Sequence, residues 1–229
     1  NREVDIKELM FSNPEFVIHM PLENPNNENA GGALKGLFGD ILSRGGIDNF
    51  ELGQANAEML MDGKHIGSLS NLNIVATDLH TDSLKWNYPI PFDYGRITIS
   101  IDSMDYLMAN GKHLKMGKIE FDTRINELKL GDISLKYVDG IRKASTDMKF
   151  QVDLIEFELS SLIFSGIEAN SNLYSNPDIR ARKLQIEGLE LEDFRNKNLP
   201  RPKEEIKPLF LGMLKKITFP LKLDTLKII

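Results

Sequence analysis

The sequence predicts a mainly β fold in which long, twisted or coiled antiparallel strands form an elongated sheet or a half-open groove with two short amphipathic helices. Three observations predict it: apolar and polar residues alternate, Asp-Gly or Asn-Gly pairs separate the alternating runs, and one longer pattern recurs. With 229 residues, 41% of them hydrophobic, the chain can bury a core. We expect residues 1–229 to form a single β-rich domain that is a fragment of a larger protein.

Alternation and turn chemistry define the strands. In residues 97–101 isoleucine alternates with threonine and serine, which is typical of a strand with one buried face. Turn pairs follow such runs at Asp62-Gly63, Asn110-Gly111 and Asp139-Gly140. These residue types tolerate the positive φ that tight hairpin turns require. The sequence therefore predicts hairpins near residues 62, 110 and 139.

The longer pattern joins two alternating apolar pairs by a step of three residues. A step of three would turn the side chains to the opposite face, so a strand that keeps one apolar face needs a bulge or a sharp bend there. Long, strongly twisted strands are favoured over short strands joined by tight corners, because signals for longer loops are rare. The pattern recurs in five segments: 9–16, 114–121, 128–135, 157–164 and 184–191.

Two arms of the chain, about 5–52 and 180–229, repeat one another. Each arm has a strand, a polar excursion, a helix candidate and a second strand, with the candidates at 34–41 and 206–213. Leu9 and Phe50 are 41 residues apart, and Leu184 and Leu226 are 42 apart. Similar order and spacing in both arms indicate an internal duplication.

The second arm resembles a known family. Residues 194–202, the helix candidate from Ile206 and the strand at 219–228 are similar to the repeating segments of bacterial AsmA-like envelope proteins, in particular those of Bacteroidetes. The resemblance implies a non-enzymatic, periplasmic, β-rich repeat segment, with a membrane anchor upstream of the fragment. It also implies a part in lipid handling or outer-membrane assembly, with phospholipid or another envelope lipid as the partner.

An apolar sheet face that no second layer covers could hold acyl chains, at about 0.8 kcal/mol per buried methylene. The alternative is that this face forms the core of an ordinary sandwich, as is common in antiparallel sheets. In the lipid-handling interpretation, eight residues of two recurring segments are the expected lipid contacts: Leu114, Met116, Ile119, Phe121, Leu128, Leu130, Ile133 and Leu135.

A second hypothesis is a carbohydrate- or protein-binding β-sandwich module that uses Trp86 and Tyr88. Asp78, His80 and Asp82 alternate and could ligate a divalent cation, but no second cluster accompanies them, so we predict no metal site and no cofactor. A net charge of −6 disfavours nucleic acid as a partner. The chain has no cysteine, and no nucleophile elbow or phosphate loop is visible, so no catalytic residue is predicted and a hydrolase ranks third.

Overall fold

A computed structural model describes residues 4–20, 45–81, 93–169, 179–201 and 221–229. Within these ranges the protein forms one sheet of thirteen strands and a single short helix, which confirms the mainly β prediction. In chain order the elements are β1 Val4–Ser12, β2 Glu15–Met20, β3 Gly45–Met61, β4 Lys64–Thr81, β5 Arg96–Ile101, β6 Ser103–Leu107, β7 Lys112–Met116, β8 Ile119–Asp122, β9 Glu127–Tyr137, α1 Ile141–Thr146, β10 Asp153–Ala169, β11 Ile179–Glu187, β12 Glu190–Arg195 and β13 Leu221–Ile228.

Four long strands, β3, β4, β9 and β10, run through the whole sheet, and shorter strands pair with one half of each. In the upper half the order is β1-β3-β4-β5-β8-β9-β10-β11-β13. In the lower half β2 pairs with β3, β6 with β4 and β7, β7 with β9, and β12 with β10. Eight of the short strands thus come in consecutive pairs, one member in each half, and β13 lies in the upper half without such a partner among the described strands.

The sheet is mixed rather than purely antiparallel. The pairs β1–β3, β2–β3 and β11–β13 are parallel, whereas the other strand pairs of the described sheet are antiparallel. The prediction of antiparallel strands is therefore wrong for both arms. A parallel pair needs a crossover of a dozen or more residues, and the connections 21–44 and 202–220 are long enough to provide one.

Three of the five predicted three-residue steps contain a residue with a left-handed backbone, whereas segments 114–121 and 157–164 contain none. Inside long strands the kink residues are Gln54, Asn71 and Asp132, with φ of 55°, 54° and 47°. Between short strands they are Asn13 and Gly188, with φ of 52° and 63°. Asparagine, aspartate and glycine tolerate this conformation best, which explains their place in the pattern. Long strands and short strands with corners both occur.

A further kink, in β4, shows that a three-residue step can leave the apolar side chains before and after it on the same face of the sheet. Ala76 and Leu79 are three residues apart on β4, yet both belong to one buried cluster with Ile47 and Ile97, because Asp78 between them has φ of 53°. Regular alternation would have placed the two side chains on opposite faces. The cluster is completed by partly buried residues of the first four strands of the upper half: Ile6, Leu9, Phe50, Ile74 and Ile99.

Two of the three predicted hairpins are confirmed. Asp62-Gly63, with φ of 50° and 71°, joins β3 to β4, and Asn110-Gly111 joins β6 to β7. The third is wrong, because Gly140, with φ of 85°, precedes α1 in a longer connection between β9 and β10. Positive φ at glycine serves a helix start as well as a tight turn, and the burial of Ile141 and Ser145 holds the helix against the sheet.

The two predicted helices, 34–41 and 206–213, lie outside the described residues. The ranges that the structure describes contain no helix with the length and apolarity needed to cross a bilayer.

Candidate functional site: an apolar sheet face

One row of apolar side chains crosses the entire upper half of the sheet. Residues directly opposite one another on paired strands lie on the same face, so a chain of direct pairs defines a continuous row. We call this row the upper apolar ladder, and its nine residues, one from each strand, are Phe11, Leu52, Ile74, Ile99, Phe121, Leu128, Phe164, Leu184 and Leu226.

A second row crosses the lower half in the same way. This lower apolar ladder has one residue from each of eight strands, and one of the eight is a glycine. Its members are Ile18, Met59, Gly67, Tyr106, Leu114, Leu135, Phe157 and Leu191. Gln54, Asn71 and Asp132, which lie between the two halves, have the same left-handed backbone as Asp78. Since that conformation leaves Ala76 and Leu79 on one face, we assign both ladders to one apolar face.

The eight residues predicted to contact lipid lie together on β7, β8 and β9. Direct pairs join Leu114 to Leu135, Ile119 to Leu130, and Phe121 to Leu128. Ile133 is buried and the other seven are half-buried. The structure thus brings the predicted residues together in one patch at the centre of the sheet, where it joins the two ladders.

The opposite face is polar and carries cross-strand ion pairs. Lys136 Nζ lies 2.7 Å from Glu158 Oε1 between β9 and β10, and His113 Nε2 lies 2.6 Å from Asp105 Oδ1 between β7 and β6. His113 is half-buried in this pair. Val75 is an apolar exception on this face, with 45% of its surface exposed. The sheet is therefore amphipathic, with polar groups on the side away from the ladders.

Asp122 on the polar face accepts three hydrogen bonds. Arg96 Nη2 donates to its Oδ2 at 2.6 Å and Arg96 Nε to its Oδ1 at 3.1 Å, and the backbone N–H of Arg124 donates to Oδ1 at 2.9 Å. These bonds favour the ionised carboxylate, so the Arg96 side chain first, and then the Arg124 amide, lower the pKa of Asp122.

We expect the stabilisation from Asp122 to depend on pH. Since its pKa is lower in the folded state, the contribution is present above the ordinary aspartate pKa and is lost as the pH falls below about 4. Asp122→Asn should therefore lower the urea midpoint at about pH 7, and the difference from the wild type should shrink in acid. Urea titrations of the wild type and Asp122→Asn, from about pH 7 to below about pH 4, test this expectation. A difference in urea midpoint that does not change with pH would contradict it.

Lys112 and Tyr137 form the lower rim of the apolar patch. They are paired on β7 and β9, two residues beyond Leu114 and Leu135, and Lys112 Nζ lies 4.9 Å from the centroid of the Tyr137 ring. The ammonium group also donates to the carbonyl of Ile155 at 3.0 Å. Burial lowers the pKa of Lys112 and raises the pKa of Tyr137. Sequence reasoning missed this rim, although position 112 precedes Leu114 with the spacing of the alternating face.

Most of the remaining sequence candidates lie outside the described part of the chain. Trp86, Tyr88 and Asp82 lie outside the described residues, so the carbohydrate- or protein-binding alternative stays a prediction. His80 Nδ1 lies 2.8 Å from the backbone carbonyl oxygen of Asp78. Within the described ranges, no group of three or more histidine and carboxylate side chains is placed to hold a metal ion.

Comparison with protein-family models, with curated proteins and with solved structures gives no match. We therefore base the function on the geometry of the apolar face and on the resemblance seen in the sequence.

Proposed function

We propose that this chain is a non-enzymatic segment of an AsmA-like envelope protein that contributes to lipid handling or outer-membrane assembly. The observation that carries the proposal is the upper apolar ladder, an unbroken row of apolar side chains across nine strands. In this function the ladder and the patch on β7 to β9 contact the acyl chains of a phospholipid or another envelope lipid.

The incomplete burial of the apolar face supports this role. In the part of the chain that the structure describes, no large side chain is fully buried, and the ladder is exposed at both ends, at Phe11 and Leu226. Each acyl methylene that leaves water for this face gains about 0.8 kcal/mol. A row of side chains without a polar interruption lets such gains add along a whole chain.

The resemblance of the second arm to AsmA-like proteins supports the cellular setting. On this basis we propose a periplasmic location, with attachment to a membrane through a segment outside this chain. The rim formed by Lys112 and Tyr137 suits the proposal, because an ammonium group and a phenol at the end of an apolar surface match the polar end of a lipid.

Retention of lipid by the purified chain tests the proposal. We expect native mass spectrometry, after incubation with an envelope lipid extract, to show bound acyl-chain ligand. Leu128→Lys should reduce the bound fraction about tenfold, because it places an ammonium group where acyl methylenes would lie. Val75→Lys introduces the same charge on the polar face and should leave retention unchanged.

A folded chain that never retains an acyl-chain ligand would contradict the proposal. Equal losses of lipid retention in Leu128→Lys and Val75→Lys would also count against it, because only Leu128 lies on the apolar ladder. Circular dichroism and urea unfolding of both variants show whether the fold is kept.

A further inference from the structure

Lys112 lies on the apolar face without a carboxylate partner. Its side chain is half-buried, on the same face as Leu114 two residues further along β7. The ammonium group donates one hydrogen bond to the Ile155 carbonyl, at 3.0 Å, and lies 4.9 Å from the centroid of the Tyr137 ring. Within the part of the chain that the structure describes, Lys112 makes no ion pair. Because an ammonium group has three N–H donors, Lys112 can still donate to a bound anion.

The charge of Lys112 is only partly compensated. Burial lowers the pKa of Lys112, and the carboxylate of Glu156 offsets this only in part. Oε1 of Glu156 already accepts the backbone N–H of Tyr137, at 2.8 Å. A charge that has lost water is costly unless it is paired and hydrogen-bonded. An anion that reaches Lys112 would therefore be bound favourably.

Tyr137 supplies a second donor beside the ammonium group. The side chain is half-buried, and a tyrosine hydroxyl in such a place usually has a hydrogen-bond partner. Among the residues in the described ranges, none forms a hydrogen bond with this hydroxyl. An ammonium group and a hydroxyl together suit an anion with several acceptor oxygens, and lysine is a common ligand of phosphate.

These donors lie where the apolar patch on β7 to β9 ends. Leu114 and Leu135, a direct pair of the lower apolar ladder, are two residues away on the same two strands. A lipid whose acyl chain follows the patch would have its polar end at this rim.

We propose that Lys112 and Tyr137 bind the phosphate group of a glycerophospholipid whose acyl chain lies on the patch. This inference rests on the proposed function, and it adds the class of lipid and the two residues that recognise the headgroup.

Two lipids that differ only by a phosphate group test the inference, dioleoylphosphatidic acid and dioleoylglycerol. We expect native mass spectrometry to show about tenfold more phosphatidic acid than dioleoylglycerol retained by the wild type. Lys112→Met keeps an unbranched apolar side chain but removes the ammonium group, so the preference should disappear while retention of dioleoylglycerol is unchanged. Tyr137→Phe removes only the hydroxyl and should reduce the preference about threefold.

Lys115→Met is the matched control. Lys115 is an exposed lysine of the same strand, and its position three residues after Lys112 places it on the polar face. This variant should keep the full preference for phosphatidic acid. Circular dichroism of each variant shows whether the fold is kept.

The ionisation of Lys112 gives a second measurement, which a purely structural lysine would not change. We expect phosphatidic acid to raise the pKa of Lys112 in an NMR titration of its side chain, and dioleoylglycerol not to raise it. Glycerol 3-phosphate, which has the phosphate but no acyl chain, should leave this pKa unchanged at the same concentration. An equal rise with glycerol 3-phosphate would assign the site to a soluble phosphate and overturn the headgroup assignment.

Equal retention of the two lipids by the wild type would overturn the inference but leave lipid handling standing. A preference for phosphatidic acid that persists in Lys112→Met would have the same meaning. A folded chain that retains neither lipid would contradict the proposed function and this inference together.

Discussion

Replacement of Gly67 with alanine is expected to destabilise the protein by about 3 kcal/mol. Gly67 lies between Met59 and Tyr106 in the lower ladder, where β4 and β6 approach closely. A methyl group at this position would overlap the backbone carbonyl oxygen of Asp105 and lie 3.2 Å from the Tyr106 Cα. Both are backbone atoms of a paired strand, so relief requires movement of β6 rather than rotation of a side chain.

Gly46→Ala is the matched control, since Gly46 is also a strand glycine beside a paired strand. The nearest atoms to an added methyl are 3.6 Å away, which is ordinary contact, so the change should be neutral or slightly stabilising. Urea unfolding of the two variants and the wild type gives the comparison. A similar loss in both variants would show that the close approach of β4 and β6 does not limit position 67.

Ile47→Ala should also cost about 3 kcal/mol, because it removes buried methylenes and leaves a cavity. Only 2% of the Ile47 surface is exposed, and the side chain packs with Leu79 and Ile97 in the cluster of the upper half. This cluster holds β1, β3, β4 and β5 together at the end of the ladder. Its loosening should therefore appear as faster hydrogen exchange in these strands before it appears in β10 or β11.

Val17→Ala provides the comparison for Ile47, since Val17 is a β-branched residue of an edge strand with 56% of its surface exposed. We expect this change to alter the free energy of unfolding by less than about 0.5 kcal/mol. Comparable effects at the two positions would mean that the cluster around Ile47 contributes no more than an exposed edge.

Bends at the three-residue apolar steps could be predicted from the sequence because they depend on neighbouring residues. Asn13, Asp132 and Gly188 have a left-handed backbone at three of the five predicted steps, and the steps in 114–121 and 157–164 contain no such residue. The two arms, matched by spacing alone, also have the same strand pairing. Leu9 and Phe50, chosen from the repeat alone, are directly paired, and so are Leu184 and Leu226.

Other features could not be predicted because one local signal serves two structures. Asp139-Gly140 has the sequence of a hairpin turn, yet Gly140 starts a helix whose stability comes from packing on the sheet. Lys112 follows the turn at Gly111, where a charged side chain is expected to be solvated. Its ammonium group instead lies over the Tyr137 ring. In both cases the deciding contact comes from a residue far along the chain.

The sequence by itself determined that apolar residues alternate along the strands and that some strands bend, because alternation and backbone conformation are properties of adjacent residues. Only the tertiary structure decided which strands are neighbours, and that the outer pairs are parallel. Pairing of Phe121 with Leu128 and of Leu128 with Phe164 depends on how distant segments meet, which no short pattern specifies. The unbroken upper apolar ladder exists only once those strands are side by side.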